Sequence, residues 1–245
     1  MSSALTSKFG KTRVFLPVIH LPEEGRYGMA AVGTALEAGA DGIFLINQGT
    51  STQNIVQNLI PAMRAEFGAD LWIGVNPLGT RVEEFIPLSD ETPERRIDGV
   101  WSDDAGVDAM HEEWFQHSRD AYLTARKETG WTGLYFGGTA FKTQDDIPRH
   151  LLPYVAQRAA TFMDVVCTSG RGTGVASDVP KVKTMREAIP GVPLALASGV
   201  TPENVDGFLP YVEAYLVATG IEREFGVLDP ARTKALADKI HGFGD

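Results

Sequence analysis

The sequence predicts an α/β fold, a single (β/α)8 TIM barrel that spans residues 1–245 as one domain. Eight short apolar segments recur along the chain, bounded by Gly, Pro or Asp and separated by helix-forming segments. Their continuous apolarity is typical of strands that are buried on both faces. The length agrees, because such barrels commonly take about 250 residues. An open doubly wound sheet is the alternative, but it usually has fewer strands at this length.

The elements follow one another regularly. The predicted strands cover residues 14–20, 42–47, 71–76, 98–103, 133–140, 163–168, 192–198 and 214–219. The third unit has the weakest helix, because Pro87 and Pro93 interrupt the segment 81–97. Three of the strands are preceded by an aspartate, namely Asp41, Asp98 and Asp164. A turn residue that closes the preceding loop accounts for this recurrence.

Two of the helices show clear sequence signals. An amphipathic helix is predicted over 108–128, and its apolar side holds Met110, Trp114, Ala121 and Ala125. A second is predicted over 178–189, with Asp178 as N-cap and Pro180 in the first turn.

Composition narrows the classes of partner. A net charge of −10 repels a phosphate backbone, so nucleic acid is not an expected partner. No apolar segment reaches the ~20 residues of a membrane-spanning helix, and no secretory signal opens the chain, so we expect a cytoplasmic protein with no membrane partner. The one cysteine, Cys167, excludes an internal disulfide, and a buried inert thiol is expected there. Formation of a homo-oligomer is left open.

Polar residues gather where the predicted strands end, which is the active-site end of this fold. The loops after the seventh and eighth strands usually bind phosphate through backbone N–H groups. Small residues in both loops, together with asparagines at two earlier strand ends, predict a phosphate pocket. Its residues are Asn47, Asn76, Ser198, Gly199, Val200, Thr219 and Gly220. Ordinary glycine turns are the alternative, and Glu222 and Glu224 oppose an anion unless Arg223 offsets them.

The glycine-rich loop after the sixth strand lies next to that pocket. It contains Ser169, Gly170, Arg171, Gly172, Thr173 and Gly174. We expect it to cover the pocket, with Arg171 donating to the anionic end of a ligand. A solvated turn is the alternative.

Three charged residues are the catalytic candidates: Asp103, Asp104 and Lys142. An aspartate is expected to move a proton while Lys142 stabilises a developing oxyanion. No cofactor is required, although Mg²⁺ could bind at Asp103 and Asp104, and a loop-capping pair is the alternative. Lys142 could also form a Schiff base. His20 is the only histidine at a strand end, and a structural role is expected for it.

Six motifs in order resemble the BtpA/SgcQ family of TIM barrels: "PVIHLP", "GADGI", "GVN", "SGRGTG", "SGVTPENV" and "ATGIERE" with "LDP". The last strings are also similar to those of ribulose-phosphate-binding barrels such as phosphoribosylanthranilate isomerase. The resemblance implies a barrel with a phosphate pocket, and it matches Asn47, Gly49, Asn76, Lys142, Ser169, Gly170, Thr173, Gly174, Ser198, Gly199 and Gly220. The chain departs from the family at Ile46 and Thr50, where relatives tend to have acids, and at Gly79, where they tend to have Arg.

The expected function is that of an enzyme acting on a small phosphorylated metabolite, a sugar phosphate or a nucleotide. The reaction would be of the lyase, isomerase or glycosyl-transfer type. One alternative is a non-catalytic assembly or regulatory factor, as implied by the family branch linked to photosystem I assembly, and the loss of an acid at Ile46 favours it. The other alternative is a class I aldolase that uses Lys142.

Overall fold

Eight parallel strands close into a barrel in the computed structural model, which describes residues 3–21, 28–89 and 92–244. The strands are β1 Val14–His20, β2 Ile43–Ile46, β3 Ile73–Asn76, β4 Gly99–Ser102, β5 Leu134–Gly138, β6 Val165–Ser169, β7 Leu194–Ala197 and β8 Ala214–Val217. Each strand pairs with the next, and β1 also pairs with β8 with Val14 beside Ala214. The predicted TIM barrel is therefore confirmed, with each strand inside or within one residue of its predicted segment.

Helices surround the barrel. They are α1 Ala4–Phe9, α2 Gly28–Glu37, α3 Thr52–Asn54, α4 Ile60–Phe67, α5 Val82–Phe85, α6 Glu112–Thr129, α7 Leu152–Ala159, α8 Val179–Ala188 and α9 Pro230–His241. A small hairpin, β9 Glu222–Glu224 and β10 Val227–Leu228, separates β8 from α9. The third unit is weak as predicted, since α5 has 4 residues before a 3-10 turn, Ile86–Leu88. Residues 90–91 of that unit, and Pro22 of the first motif, lie outside the described residues. In the part of the chain that is described, no helix is long and apolar enough to cross a bilayer.

Alternating strand residues divide the core into two layers. Inward-facing side chains such as Leu16, Phe44 and Phe136 fill the barrel, and α1 closes its amino-terminal end with Leu5 buried. The outward-facing residues pack under the helices as a second cluster. Cys167 lies fully buried inside the barrel, and burial raises the pKa of its thiol well above the ordinary value. The expected inert thiol is what the structure contains.

The helix predicted over 108–128 begins later, at Glu112, and its buried side is shifted by one position. Phe115, Tyr122 and Ala125 face the core, whereas Met110 and Trp114 are 78% and 57% exposed. The predicted apolar side was therefore wrong for those two residues. A one-residue offset turns a helix face by about 100°, so the face that buries Phe115 and Tyr122 leaves Trp114 outside the core. In α8, Asp178 occupies the N-cap position but its carboxylate pairs with Arg149 instead of capping.

An acidic residue before each even-numbered strand clamps the amino-terminal end of the barrel. Each accepts a backbone N–H at 2.8–2.9 Å from the first or second residue of the preceding odd-numbered strand: Asp41 from Phe15, Asp98 from Ile73, Asp164 from Tyr135 and Glu213 from Leu194. The recurring aspartates are thus more than turn residues. Each binds a strand one unit earlier in the chain.

Candidate functional site

The carboxyl ends of the strands carry the candidate site, and the segment after strand βn is called loop n below. Ala140 in loop 5 and Ser198 in loop 7 have φ values of 51° and 71°, and they are the non-glycine residues with positive φ in the described chain. Such strain persists where the surroundings impose it, and it clusters at functional sites. Both strained residues lie at this end of the barrel.

Asp103 in loop 4 is held beside Asn76 at the end of β3. The Asn76 amide donates to its carboxylate at 2.9 Å, and Asn76 itself is buried. Gly138 brings the end of β5 so close that a Cβ there would lie 2.0 Å from the Asp103 carbonyl oxygen. Burial raises the pKa of Asp103, while the Asn76 hydrogen bond and the charge of Lys142 oppose that rise. A carboxyl with a raised pKa is suited to exchange a proton near neutral pH.

Asp104 is exposed and engaged within the loops. Its carboxylate accepts from the Gly106 backbone at 2.8 Å and from the Gln144 amide at 2.7 Å. These contacts resemble the capping alternative more than a proton-transfer role. No group of three His, Cys, Asp or Glu side chains able to hold a metal occurs among the described residues, so Mg²⁺ at Asp103 and Asp104 stays a prediction.

Lys142 is half-buried in loop 5. Its backbone N–H donates to the Ser169 hydroxyl at 2.9 Å, and its ammonium lies 3.4 Å from the Thr173 hydroxyl. It forms no ion pair with a described residue, although it is near enough to Asp103 to influence the pKa of that carboxyl. Asp103 and Lys142 therefore interact over a longer distance than an ion pair.

Loops 7 and 8 meet through their backbones. A Cβ at Gly220 would lie 1.8 Å from the Val200 carbonyl oxygen, so only glycine fits there. The N–H groups of Gly199, Val200, Thr219 and Gly220 donate to no acceptor among the described residues. Backbone donors without partners are what a phosphate-binding loop presents.

The glycine-rich loop 6 is attached to loop 7. The Ser198 hydroxyl accepts from the Gly174 N–H at 2.9 Å and donates to the Gly172 carbonyl at 3.3 Å. A Cβ at Gly199 would lie 2.2 Å from the Val175 carbonyl oxygen, so the two loops approach too closely there for any side chain. Loop 6 therefore packs against the predicted phosphate pocket.

Two other predicted ligand residues have partners within the protein. The Arg171 side chain is 85% exposed and lies 3.5 Å from the Asp146 carboxylate. Both N–H donors of the Asn47 amide are used, by Thr52 and by the Leu78 carbonyl, and its oxygen accepts from the Leu78 N–H. The ligand roles of Arg171 and Asn47 stay predictions.

His20 has a carboxylate partner that the sequence did not reveal. Its Nδ1 lies 2.8 Å from Glu222 Oε1, both side chains are less than a tenth exposed, and the Phe225 ring stacks on the imidazole at 4.6 Å. A carboxylate at Nδ1 fixes the tautomer and leaves Nε2 to accept or give a proton. The position of Glu222 directly after loop 8, which adjoins β1 in a closed barrel, was the available signal.

Lys181 in the first turn of α8 was also missed. Its ammonium donates to the carbonyls of Ala140 at 2.5 Å and Ser169 at 2.8 Å, and burial lowers its pKa to about 8. Lys181 follows no strand end in the sequence, but the first turn of each helix lies at the same end of the barrel as the carboxyl ends of the strands.

Two cavities open at this end. The larger, about 950 Å³, lies between loops 5 and 6 and is lined by Lys142 and Lys181. The smaller, about 470 Å³, lies between loops 3 and 4 and is lined by Asn76, Asp103 and Asp104. The three catalytic candidates are therefore divided between neighbouring cavities.

Comparison with known proteins finds partial sequence similarity and a shared fold. No family model matches the chain. N-(5'-phosphoribosyl)anthranilate isomerases from strains of Pseudomonas aeruginosa are 32% identical over 108 residues, which is 43% of this chain and 49% of the relative. The chain thus matches about half the length of these curated relatives.

Solved structures agree over nearly the whole chain. Phosphoribosyl anthranilate isomerase from Thermus thermophilus has a TM-score of 0.60 at 17% identity, covering 93% of this chain and 98% of its own. (S)-3-O-geranylgeranylglyceryl phosphate synthase from Thermoplasma acidophilum, in complex with sn-glycerol-1-phosphate, has a TM-score of 0.65 at 18% identity. The match covers 99% of this chain and 100% of the synthase. Tryptophan synthase subunit alpha from Legionella pneumophila has a TM-score of 0.64 at 12% identity, and the match again covers 99% of this chain and 100% of the other. These likenesses establish the fold.

Proposed function

We propose that this protein is an enzyme that acts on a small phosphorylated metabolite and holds the phosphate between loops 7 and 8. The observation that carries the proposal is the set of four backbone N–H groups, at Gly199, Val200, Thr219 and Gly220, without an acceptor among the described residues. The names of the relatives support it, since they are isomerases of a phosphoribosyl compound. One similar structure is a complex with a glycerol phosphate.

The chemistry we assign is proton transfer. Asp103 is the first acid–base group, because burial raises the pKa of its carboxyl, and Lys142 stabilises negative charge that develops nearby. His20 is the second, because Glu222 holds its tautomer and because β1 adjoins β8, whose loop would bind the phosphate. Two acid–base groups at the same end of the barrel suit an isomerase or a lyase.

The phosphate site is tested with a matched pair of variants at Thr219, which is exposed. Thr219→Asp places a negative charge beside the N–H groups, and Thr219→Asn is the neutral control of nearly the same shape. With sn-glycerol 1-phosphate as probe in calorimetry, we expect the Asp variant to bind about tenfold more weakly or worse, a loss of ~1.4 kcal/mol, and the Asn variant to match the wild type. Equal affinity in all three proteins would place the phosphate elsewhere.

The catalytic assignment is tested by turnover. Asp103→Asn should lower kcat by about a hundredfold or more on a phosphometabolite found by thermal-shift screening, whereas Asp104→Asn should change it little. If Asp103→Asn retains the wild-type rate, the carboxyl of Asp103 takes no part in the reaction. Borohydride trapping with keto-sugar phosphates separately tests the aldolase alternative at Lys142.

A non-catalytic scaffold of the BtpA/SgcQ kind is the second candidate. It is favoured by Ile46, which is apolar, 6% exposed and at the end of β2, where the resemblance implies an acid. Under this alternative, sn-glycerol 1-phosphate still binds, but no substitution at Asp103, Lys142 or His20 changes a rate, because there is none to measure.

A further inference from the structure

We propose that the cavity between loops 5 and 6 is a carboxylate-binding pocket, in which the anion lies between Lys142 and Lys181. If the phosphate is held as proposed above, the substrate is then a phosphorylated carboxylic acid. The pocket itself does not depend on the phosphate site.

The charges of the cavity are arranged with cations inside and acids outside. Four basic and three acidic side chains line it. The acids, Asp145, Asp146 and Asp178, are exposed at the rim, and two of them pair there with Arg171 and Arg149. Lys142 and Lys181 are the less exposed cations, and neither forms an ion pair with a described residue. The lining therefore has a net charge of +1. One carboxylate would neutralise that charge, whereas a dianionic phosphate would exceed it.

Lys181 is held in place by its hydrogen bonds. An ammonium group has three donors, and two of them are used by the carbonyls of Ala140 and Ser169. The third has no acceptor among the described residues. The strained backbone of Ala140, with φ of 51°, turns its carbonyl to both Lys181 and the Thr168 hydroxyl. The strain thus maintains a cation at the wall of a cavity.

Burial makes that cation unfavourable without a partner. It lowers the pKa of Lys181 to about 8, so the charged form is under-stabilised in the protein as it stands. A carboxylate beside it would restore the ordinary pKa. Phe141, which is buried, and Leu152 form an apolar wall that would contact the carbon skeleton of the acid.

The pocket adjoins the proposed reacting centre through Lys142, which lines the cavity and whose charge lowers the pKa of Asp103. Lys181 is accordingly a specificity residue, since it contacts the substrate away from the bonds that change.

Amine acetylation followed by peptide mass spectrometry tests the pocket. The neutral amine reacts, so a bound carboxylate slows acetylation of Lys181 both by covering it and by raising its pKa. Lys183, on the same helix, is 52% exposed and serves as internal control. With D-glycerate as probe, we expect the Lys181 rate to fall about fivefold or more at saturation while the Lys183 rate is unchanged. sn-Glycerol 1-phosphate should leave the Lys181 rate as it was.

Three results would overturn the proposal. They are an unchanged Lys181 rate with D-glycerate, equal slowing of Lys181 and Lys183, and equal protection by the phosphate probe. The Thr219→Asp variant separates this from the phosphate site: D-glycerate protection of Lys181 persists in it even though sn-glycerol 1-phosphate no longer binds. If sn-glycerol 1-phosphate fails to bind the wild type but D-glycerate still protects Lys181, the phosphate site is wrong and the carboxylate pocket stands. If sn-glycerol 1-phosphate binds but D-glycerate does not protect Lys181, only the carboxylate pocket is wrong.

The substrate class is tested by calorimetry with 3-phosphoglycerate against sn-glycerol 1-phosphate. We expect the carboxylate to increase affinity about tenfold in the wild type and in Lys183→Met, and the advantage to vanish in Lys181→Met. An advantage that survives in Lys181→Met, or none in the wild type, contradicts the assignment.

Discussion

The two ends of the barrel use charged residues in opposite ways. At the amino-terminal end, each strand-clamping acid has a basic partner: His241 with Asp41, Arg64 with Asp98, Arg126 with Asp164 and Arg186 with Glu213, at 2.6–3.0 Å. At the carboxyl end, Asp103, Lys142 and Lys181 form no ion pair with a described residue. The strand-clamping acids at the amino-terminal end are all paired, whereas these three groups at the carboxyl end have no partner at ion-pair distance in the described part of the chain, although exposed pairs such as Arg149 with Asp178 occur there too.

Backbone geometry repeats the contrast. The positive φ values of Ala140 and Ser198 both fall at the carboxyl end. Strain and unpaired charge lower stability, and they persist in natural proteins where function needs them. Under the proposed function, stability depends mainly on the amino-terminal end and activity on the carboxyl end, so we expect substitutions at the two ends to have effects of different kinds.

The largest effect is expected at Asp98, whose side chain is 1% exposed and pairs with Arg64, itself 2% exposed. Asp98→Ala leaves the Ile73 N–H without its acceptor and the buried Arg64 guanidinium without its counter-charge, with only backbone carbonyls to accept from it. Breaking a buried pair costs about 3–5 kcal/mol, which urea unfolding would measure. The control is Asp120→Ala, which removes an exposed pair with Arg119 and should cost less than about 0.5 kcal/mol. Similar losses in both would show that the clamp does not stabilise the barrel.

The next largest loss of stability is expected for substitution of Asp41, and this loss should depend on pH. Burial alone would raise the pKa of Asp41, but hydrogen bonds from His241, Lys11 and the Phe15 N–H hold it below the ordinary 3.8. The stabilisation is therefore complete above pH 3.8 and is lost as the pH falls through the lowered pKa. Asp41→Asn should cost about 1–3 kcal/mol at pH 7, and the difference from wild type should shrink in acid unfolding below pH 3.8. A difference that is constant to lower pH would contradict the charge assignment.

These two cases show what the sequence could and could not predict. Continuous apolar runs located all eight strands, because a strand buried on both faces leaves a local signal. The clamps join residues such as Asp98 and Ile73, which are 25 positions apart, and His20 and Glu222 are 202 apart. Only the closed barrel brings them together. Lys181 was missed because its role depends on the carbonyl of a strained residue, Ala140, in another loop. Local patterns therefore predicted the fold and the loops, but not the partners of individual side chains.

At the carboxyl end, we expect Asp103→Asn to increase the stability of the protein, which is opposite to the effect of the substitutions at Asp98 and Asp41. Because burial raises the pKa of Asp103, folding favours its protonated form, so stability falls as the pH rises through the raised pKa and the cost is present in full above it. Replacing the carboxyl with an amide removes that cost at pH 8 and should stabilise the protein by up to about 1 kcal/mol. At pH 3, where the carboxyl is protonated in both states, the gain should vanish. Thermal unfolding at the two pH values measures the difference, and a destabilised variant at pH 8 would show that Asp103 belongs with the clamps.

The smallest effect is expected at Arg171, which reaches only the exposed Asp146. An exposed pair of this kind adds little because solvent screens it and two long side chains must be ordered to form it. Arg171→Ala should shift Tm by no more than about 1 °C. Its effect on ligand affinity decides whether loop 6 belongs to the functional face, since the loop already contacts Ser198 and Gly199. If Arg171 turns to the anionic end of a bound ligand, Arg171→Ala weakens binding of 3-phosphoglycerate, whereas Arg149→Ala, which removes the other exposed cation of the cavity rim, does not. Equal affinity in wild type and Arg171→Ala would leave loop 6 as packing for loop 7 and confine the ligand's contacts to backbone groups and the two lysines.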